Sequence, residues 1–444
     1  MIERLRISIS QFITKFRSNS FWNNVAILAG GSGLAQVIAI AITPLLTRLY
    51  SPEEFGVLTV LLSTLSIFVV VASLRYEVAI PLPNSSETAA QLLGLSSIIV
   101  LITTSISILA ILLWQLFFTS SLPLPKSGDF LWVLPIGIFL GGSFQILTYW
   151  HIRERKFRNI TKANILQSSS KALTQLGTGV IHLGYWGLIS GFILGRTVAV
   201  GILLYYILSS SIELVKTINI AGIKKAAVRY RRFPLLSSLS ALLNQSGAQI
   251  APLLFAFFWG AQVAGWFGLA QRIGSIPIGL VGRSVSQVYL SESSRLRNQE
   301  PGKVKKLFVR TALRLFFYIG LPVLSLGLLS PWLFGIIFGP EWKTSGFYIV
   351  AMLPVFLGQI VVSPLAQTMN VLEKQDVQLI WDLSRVLIIT AAISIAHYIL
   401  HWDSLSTLFL YGFIMLGMYI ILFLIMWRQI NQFYLKNRSL EEAK

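Results

Sequence analysis

Long apolar stretches constrain this chain more than any other feature. From Asn23 to Arg428, twelve runs of about 18 to 26 residues follow one another, and each could cross a bilayer core about 30 Å thick as a helix. Only 12% of the residues are charged, and the mean hydropathy is +0.71. We therefore predict an all-α integral membrane protein with about twelve transmembrane helices. The predicted spans are 23–47, 55–75, 89–115, 129–150, 163–183, 187–209, 233–257, 264–290, 307–330, 346–368, 377–399 and 405–427.

Short motifs near the start of the chain return near its middle. The sequence Thr-Pro-Leu-Leu at 43–46 resembles Ala-Pro-Leu-Leu at 251–254. Six spans return the chain to the same side of the membrane, so two such halves are parallel, and repeats of this kind usually enclose an alternating-access path. We therefore predict two six-helix bundles within the following division: an amphipathic N-terminal helix at 1–22, the first bundle at 23–209, a basic linker at 210–232, the second bundle at 233–428 and a tail at 429–444.

The distribution of positive charge predicts the orientation. The chain has 36 Lys and Arg residues against 17 Asp and Glu, for a formal net charge of +19. With the N-terminus inside, the predicted exterior loops hold only Arg48, Lys126 and Lys343. Because basic residues gather on the cytoplasmic side of membrane proteins, we expect both termini in the cytoplasm. The remaining loop charges lie beside anionic membrane lipids rather than in a soluble domain, so we expect no binding of nucleic acid.

Ionisable side chains within the spans are the candidate functional groups, because a charge at membrane depth is costly and usually faces the bundle interior. Arg272 and Arg283 of the eighth span lie near one face, since their spacing is almost three helical turns, and Pro277 predicts a kink between them. The other residues that we predict to line a cationic, polar cavity are Lys171, Arg196, Gln175, Asn244 and Gln249. The alternatives are snorkelling or structural pairing for the cations, and interhelical hydrogen bonds for the amides.

Two further positions combine a cation with a carboxylate. Asp382 and Arg385 stand at i and i+3 and are expected to neutralise each other. Glu77, at the cytoplasmic end of the second span, is a candidate for proton or cation coupling, and a salt bridge to Arg75 is the alternative. Within the predicted spans themselves, Asp129 and Asp382 are the only acidic residues. The excess positive charge predicts a carrier for an anionic, polar substrate, because guanidinium groups match phosphate oxygens.

Several functional classes are excluded by what the chain does not contain. It has no cysteine, so disulfides and cysteine metal sites are impossible. It has no P-loop for ATP hydrolysis, its four histidines are scattered, and no pair of carboxylates is placed for acid–base chemistry. The exterior loops are too short for a catalytic domain. We therefore expect neither an enzyme, nor a metal site, nor a cofactor.

Four segments carry a resemblance to a known family: Leu-Tyr-Ser-Pro-Glu-Glu-Phe-Gly at 49–56, Leu-Arg-Tyr-Glu-Val-Ala-Ile-Pro at 74–81, Ala-Gln-Arg-Ile at 270–273 followed by Pro277, and Leu-Phe-Gly-Ile-Ile-Phe-Gly-Pro-Glu-Trp at 333–342. With these segments the chain resembles the polysaccharide flippases of the multidrug/oligosaccharidyl-lipid/polysaccharide exporter superfamily. The resemblance covers nearly the whole chain, including the number of spans and the two cytoplasmic termini.

The resemblance implies a V-shaped pair of six-helix bundles in the bacterial cytoplasmic (inner) membrane, enclosing a cationic cavity. It implies transfer of undecaprenyl-diphosphate-linked oligosaccharide units to the outer leaflet, with a polysaccharide polymerase and a chain-length regulator as partners and the monomer as the working unit. Arg272 matches a cavity arginine of the lipid II branch. That branch also has an arginine in the first helix, where this chain has Gly33, Gln36 and Thr43, and it often has fourteen spans. These differences favour the O-antigen or exopolysaccharide branch.

Other functions remain open. A drug or cation antiporter could share the fold, but it would require carboxylates deep in the first or seventh span, and neither span has one. A polysaccharide polymerase or ligase would use a large exterior loop, which this chain lacks. A membrane scaffold without transport activity is disfavoured by the charges within the spans.

Overall fold

The computed structural model describes residues 30, 33–117, 131–299, 301–372 and 374–442. The predicted amphipathic helix at 1–22 and the beginning of the first span lie outside the described residues. Almost all of the described chain is helical, with short turns between helices and no strand in those ranges. The predicted all-α membrane fold is confirmed.

A helix lies at the position of each of the first six predicted spans, and we label these helices α1 to α6. Their bounds are Gly33–Leu49 for α1, Pro52–Val69 for α2, Ser86–Phe117 for α3, Val133–Arg153 for α4, Phe157–Val180 for α5 and Tyr185–Ser210 for α6. A shorter linker helix, Ile220–Arg229, follows α6. Asn219 caps this helix, because its side-chain oxygen accepts a hydrogen bond of 2.8 Å from the amide of Gly222.

Six more helices follow the linker helix. Their bounds are Phe233–Trp259 for α7, Ala261–Gly274 and Arg283–Gln299 for the two segments of α8, Lys303–Leu328 for α9, Pro340–Val371 for α10, Gln375–Tyr398 for α11 and Ser404–Glu442 for α12. Wide π-helical turns lie at Phe233–Ser237, Ile278–Gly282 and Phe316–Gly320. Turns of this type are rare and often occur at functional positions.

Nine helices in the described ranges are long and apolar enough to cross a membrane. The predicted spans outside this set are α1, α5 and α8. The described part of α1 is short, and α8 is divided by its π-helical turn next to Pro277. Helix α5 carries a polar stripe, which consists of Asn164, Gln167, Lys171, Gln175 and Thr178. Each of the three still lies where the sequence predicts a span, so they differ from the nine in polarity and continuity rather than in position.

The Cα positions divide the chain into two compact units. Unit 1 comprises the described residues within Met1–Leu49, Leu65–Ser121 and Ser127–Ala241. Close packing of α5 against α6 forms part of unit 1: a side chain at Gly195 would lie 2.7 Å from the carbonyl oxygen of Gln167. Glycines on one helix allow the backbones of two membrane helices to approach closely.

Unit 2 comprises the described residues within Tyr50–Thr64, Leu122–Lys126 and Leu242–Lys444. It therefore includes the first part of α2, which packs on α8. The contact depends on small residues, because a side chain at Gly56 would overlap the carbonyl oxygen of Ala261. Phe55 adds an edge-to-face contact with Trp342, with ring centroids 5.0 Å apart. The sequence division at residues 210–232 remains a prediction.

Candidate functional site

Arg272 lies at the end of the first segment of α8. Gly268 precedes it by four residues and Gly265 by seven, so all three residues lie on one face of the helix. That face packs on α2 at Gly265 and Gly268, where added side chains would overlap Pro52 and Thr59. The Arg272 side chain is partly buried, and its place in the last helical turn is favourable for a cation.

The chain changes its helical geometry between Arg272 and Arg283. The hydroxyl of Ser275 donates a hydrogen bond of 3.2 Å to the carbonyl oxygen of Arg272, and the π-helical turn Ile278–Gly282 follows. Arg283 begins the second segment of α8, but its side chain lies outside the described part of the structure. The predicted shared face of Arg272 and Arg283 therefore remains a prediction.

Arg196 of α6 has neutral neighbours in unit 1. One of its terminal nitrogens lies 3.5 Å from Oε1 of Gln167 on α5, and its guanidinium lies over the ring of Phe144 on α4, 4.6 Å from the centroid. Its Nε is buried without a hydrogen-bond partner, and among the described residues no carboxylate lies within 4 Å of it. Arg196 is thus a sheltered cation whose charge has no counterion in the described ranges.

Lys171 and Gln175, the two candidate residues on α5, differ in their burial and contacts. Lys171 is partly buried, and its Cβ faces Gly195, where a side chain would lie 2.9 Å away. Gln175 is buried, and its amide nitrogen donates a 2.8 Å hydrogen bond to the carbonyl oxygen of Leu188. This geometry favours interhelical hydrogen bonding for Gln175, the alternative expected for the amides.

Asp382 and Arg385 form a buried ion pair on α11 in unit 2. Their charged atoms lie 3.2 Å apart, and the two residues are only 3% and 7% exposed. Asn244 of α7 contacts both: its side-chain nitrogen donates to Asp382 at 3.1 Å, and its carbonyl oxygen accepts from Arg385 at 2.8 Å. The guanidinium also lies over Trp381, 4.8 Å from the ring centroid. These groups neutralise and hold one another.

Gln249 is half-buried on α7, one and a half turns after Asn244. Its side chain makes no hydrogen bond with any described residue. It differs in this respect from Gln175, whose amide is bonded to the neighbouring helix.

Glu77 is buried in the loop between α2 and α3. Leu74 and Arg75 have φ angles of 50° and 63°, in the left-handed region, and they reverse the chain into a short 3-10 helix, Tyr76–Ala79. The Glu77 carboxylate accepts a hydrogen bond from Ser73 and lies 3.7 Å from Arg75. Burial raises the pKa of the Glu77 carboxyl above its usual range, and the hydrogen bond from Ser73 and the charge of Arg75 oppose that rise.

Contacts that the sequence did not predict hold this loop in place. Arg153 of α4 donates to the carbonyl oxygen of Pro83 at 2.5 Å, and the hydroxyl of Tyr76 donates to that of Ala227 in the linker helix at 3.1 Å. Helix periodicity cannot reveal such contacts, because they join residues far apart in the chain. Gln167 and Phe144 were likewise missed as neighbours of Arg196, although Gln167 belongs to the polar stripe of α5.

The predicted site residues thus fall into separate groups within the two units. Unit 1 holds Lys171, Gln175 and Arg196, whereas unit 2 holds Arg272, Asn244, Gln249 and the pair on α11. Within the described ranges, no three His, Asp or Glu side chains come together as a metal ion would require.

Comparison with known proteins adds a family and a fold. A family described as "Polysaccharide biosynthesis protein" matches residues 45–346. The amylovoran biosynthesis protein AmsL of Erwinia amylovora is 25% identical over 114 residues, which are 26% of this chain and 29% of that protein. The chain therefore matches less than a third of this relative's length.

Solved structures with a similar fold are transporters. An inward-facing multidrug resistance MATE family transporter of the MOP superfamily has a TM-score of 0.71 and 15% identity, covering 93% of this chain and 98% of its own. An outward-facing structure, also described as a MATE family transporter of that superfamily, has a TM-score of 0.54, 14% identity and coverages of 92% and 96%. A variant of the Vibrio cholerae MATE transporter VcmN has a TM-score of 0.54, 14% identity and coverages of 93% and 95%. At these identities the likeness concerns the fold.

Proposed function

The chain belongs to the polysaccharide biosynthesis protein family, and we propose that it flips undecaprenyl-diphosphate-linked oligosaccharide units across the bacterial cytoplasmic membrane. It is a multi-pass membrane protein with a transporter fold. The product would be O-antigen, exopolysaccharide or capsule. The proposal places both termini in the cytoplasm, because the loops on that side carry nearly all of the basic residues outside the spans.

The main support for this substrate is a half-buried arginine, Arg196, that has no counterion among the described residues. Arg196 has an amide and an aromatic ring as neighbours, and the described residues place no carboxylate within 4 Å of it. Partial removal of an uncompensated charge from water is unfavourable, so a passing anion would relieve that cost. A diphosphate is an anion whose oxygens match the guanidinium donors.

In the proposed mechanism the lipid tail stays in the bilayer while the diphosphate and sugars enter the protein. Arg272, with Arg283 and Lys171, would neutralise the diphosphate, and Arg196 would do so within unit 1. Asn244 and Gln249 would offer hydrogen bonds to sugar hydroxyls. Rocking of the two halves would then present the headgroup to the other side of the membrane.

Glu77 is the proposed coupling group. Because burial raises the pKa of the Glu77 carboxyl, a larger fraction of it is protonated at neutral pH than of an exposed glutamate. The pair with Arg75 is the competing structural role. A polymerase and a chain-length regulator are proposed partners downstream, and the monomer is the proposed working unit.

Export of surface polysaccharide tests the proposal. Arg272→Ala should abolish export at a normal level of membrane-inserted protein, and Arg272→Lys should retain part of it, because lysine keeps the charge but loses the planar fork. Lys162→Ala is the matched control, since Lys162 is an exposed cation whose amine lies near the Tyr206 hydroxyl. Normal export by the Arg272→Ala variant would remove Arg272 from the mechanism.

A multidrug antiporter is the second candidate, supported by the likeness to MATE transporter folds. An efflux assay with cationic dyes separates the two functions. The flippase proposal expects no dye efflux, because the sheltered groups Arg196 and Arg272 would repel a cation. Efflux of dyes together with normal polysaccharide in a deletion strain would favour the antiporter.

A further inference from the structure

We infer that the outer face of α9 is a capture site for the diphosphate headgroup of a polyprenyl lipid in the inner leaflet. The site is a cationic stripe that we define as Lys303, Lys306, Arg310 and Arg314. The inference rests on the proposed function for the identity of the lipid. It adds a place where the substrate first contacts the protein, distinct from the candidate residues Arg196 and Arg272.

The stripe faces away from the protein. On the opposite side of α9, Val304, Phe308 and Ala312 are buried, and the ring centroid of Phe308 lies 4.8 Å from that of Phe423 on α12. The four cations recur every three or four residues, so they occupy one face over three turns. All four are exposed.

Apolar side chains on the same side of α9 continue from the cations. Leu313 is 52% exposed, and Phe317 and Tyr318 are 56% and 78% exposed. Exposed aliphatic and aromatic side chains next to a span are positioned to contact lipid. The stripe therefore borders the bilayer, where a lipid headgroup can contact the cations while its tail lies against the apolar residues.

The stripe extends below the plane of the headgroups. From Lys303 to Arg314 the helix rises about 16 Å, and from Arg314 to Leu328 it rises about 21 Å. With Leu328, the last residue of α9, at the exterior boundary, a bilayer core of about 30 Å places Arg314 about 9 Å inside the cytoplasmic boundary. A phosphate bound by both arginines would be drawn partly into the core, which is the first step that a flippase must assist.

Three of these cations have no counterion among the residues that the structure describes. In the described ranges no carboxylate lies within 4 Å of Lys306, Arg310 or Arg314. Neighbouring cations are engaged: Lys305 lies over Trp427, 4.5 Å from the ring centroid, and Arg295 pairs with Glu292 at 2.5 Å. Lys306, Arg310 and Arg314 thus present their charge on the side that borders lipid.

A diphosphate matches this arrangement better than an ordinary phospholipid does. The Cβ atoms of Arg310 and Arg314 are one turn apart, about 6 Å, so two guanidinium forks can bind adjacent phosphate groups. A phospholipid with one phosphate at the surface needs only the outer lysines. The third helix of the other half, α3, has no lysine or arginine between Ser86 and Phe117, so the stripe is not a general property of the fold.

Binding in nanodiscs tests the inference with the full-length protein. The probe is undecaprenyl diphosphate in phosphatidylcholine nanodiscs, and a parallel series contains phosphatidylglycerol instead. The variant Lys306→Gln/Arg310→Gln/Arg314→Gln should bind the diphosphate at least tenfold more weakly and should weaken phosphatidylglycerol contact by a much smaller factor, because Lys303 is retained. The control Lys224→Gln/Lys225→Gln/Arg229→Gln removes equal charge from the exposed face of the linker helix and should bind as the wild type does.

The pattern of outcomes separates this inference from the proposed function. Unchanged diphosphate binding by the α9 variant, or an equal loss for both lipids, would overturn the capture site. Arg310→Lys/Arg314→Lys checks folding: it keeps the charge but loses both guanidinium forks, so it should lose less diphosphate binding than the glutamine variant and more than the control. If the wild type translocates lipid-linked sugars and the α9 variant does so with unchanged KM, the capture site is wrong and the proposed function stands. If the wild type binds the diphosphate but translocates nothing, the proposed function is wrong.

Discussion

Arg385 and Arg196 are two sheltered arginines with opposite surroundings. Arg385, on α11 in unit 2, lies 3.2 Å from the carboxylate of Asp382, and the backbone of Asn244 also accepts a hydrogen bond from it. Arg196, on α6 in unit 1, has a hydrogen bond with Gln167 and a cation–π contact with Phe144, and no ion pair among the described residues. The charge of Arg385 is neutralised by Asp382, and the charge of Arg196 has no counterion among the residues that the structure describes.

The contrast distinguishes a structural charge from a functional one. A buried ion pair contributes little net stability, yet removing one partner leaves a costly uncompensated charge. The protein must already bear part of that cost at Arg196, and an arrangement of this kind persists where it serves a function. Variants at the two arginines should therefore differ in which property they change.

The largest expected effect is at the pair. Asp382→Ala should lower the free energy of unfolding by about 3–5 kcal/mol, because it leaves Arg385 charged and buried. Thermal unfolding in detergent measures the change. The double variant Asp382→Leu/Arg385→Met should recover most of the loss, since it removes both charges together. A double variant as unstable as the single one would show that the pair does more than neutralise charge.

Arg196→Gln should have the reverse pattern. Its stability should change by no more than about 1 kcal/mol, because no carboxylate within the described ranges is left without its partner. Transport of lipid-linked sugar should fall about tenfold, which corresponds to about 1.4 kcal/mol. Transport rates in reconstituted vesicles and thermal unfolding of the same preparation supply both numbers. A stable variant with normal transport would make Arg196 a structural residue.

Glu77 is a buried carboxylate, and it should make the stability of the protein depend on pH. Its pKa is raised by burial, so the folded protein binds this proton more tightly than the unfolded chain does. The stabilising contribution is complete below the pKa of the unfolded chain and is lost as the pH rises through the folded pKa. Glu77→Gln should remove this decline, whereas exposed Glu87→Gln should preserve it. Melting temperatures measured from about pH 4 to about pH 8 test this prediction. An equal fall of melting temperature with pH in the wild type and in Glu77→Gln would contradict it.

The smallest effect is expected at an exposed pair. Lys216 lies 2.8 Å from Glu213, but the side chains are 64% and 81% exposed. Such pairs contribute between zero and about 1 kcal/mol because water screens them. Lys216→Ala should therefore change neither unfolding nor transport measurably, and it provides the baseline for the buried variants. A loss comparable with that of Asp382→Ala would show that distance alone, rather than burial, governs these pairs.

The sequence predicted the membrane fold well because hydropathy and charge report directly on the bilayer. The periodicity also indicated the spacing of Asp382 and Arg385, since neighbours one turn apart meet on a helix. It could not predict Phe144 beside Arg196 or Arg153 beside Pro83. These contacts depend on how distant helices pack. The sequence also could not predict that the side-chain amide of Gln175 donates a hydrogen bond to the backbone of α6.

The account is tested most directly by headgroup translocation in proteoliposomes. A fluorescent lipid-linked diphosphate sugar is reconstituted with the wild type, Arg196→Gln and Arg272→Ala, and exposure of its label to an impermeant quencher is followed over time. The account predicts rapid exchange in the wild type and slow exchange in both variants, with all three proteins equally stable. Exchange at the wild-type rate in both variants would contradict the claim that sheltered arginines carry the anionic headgroup across.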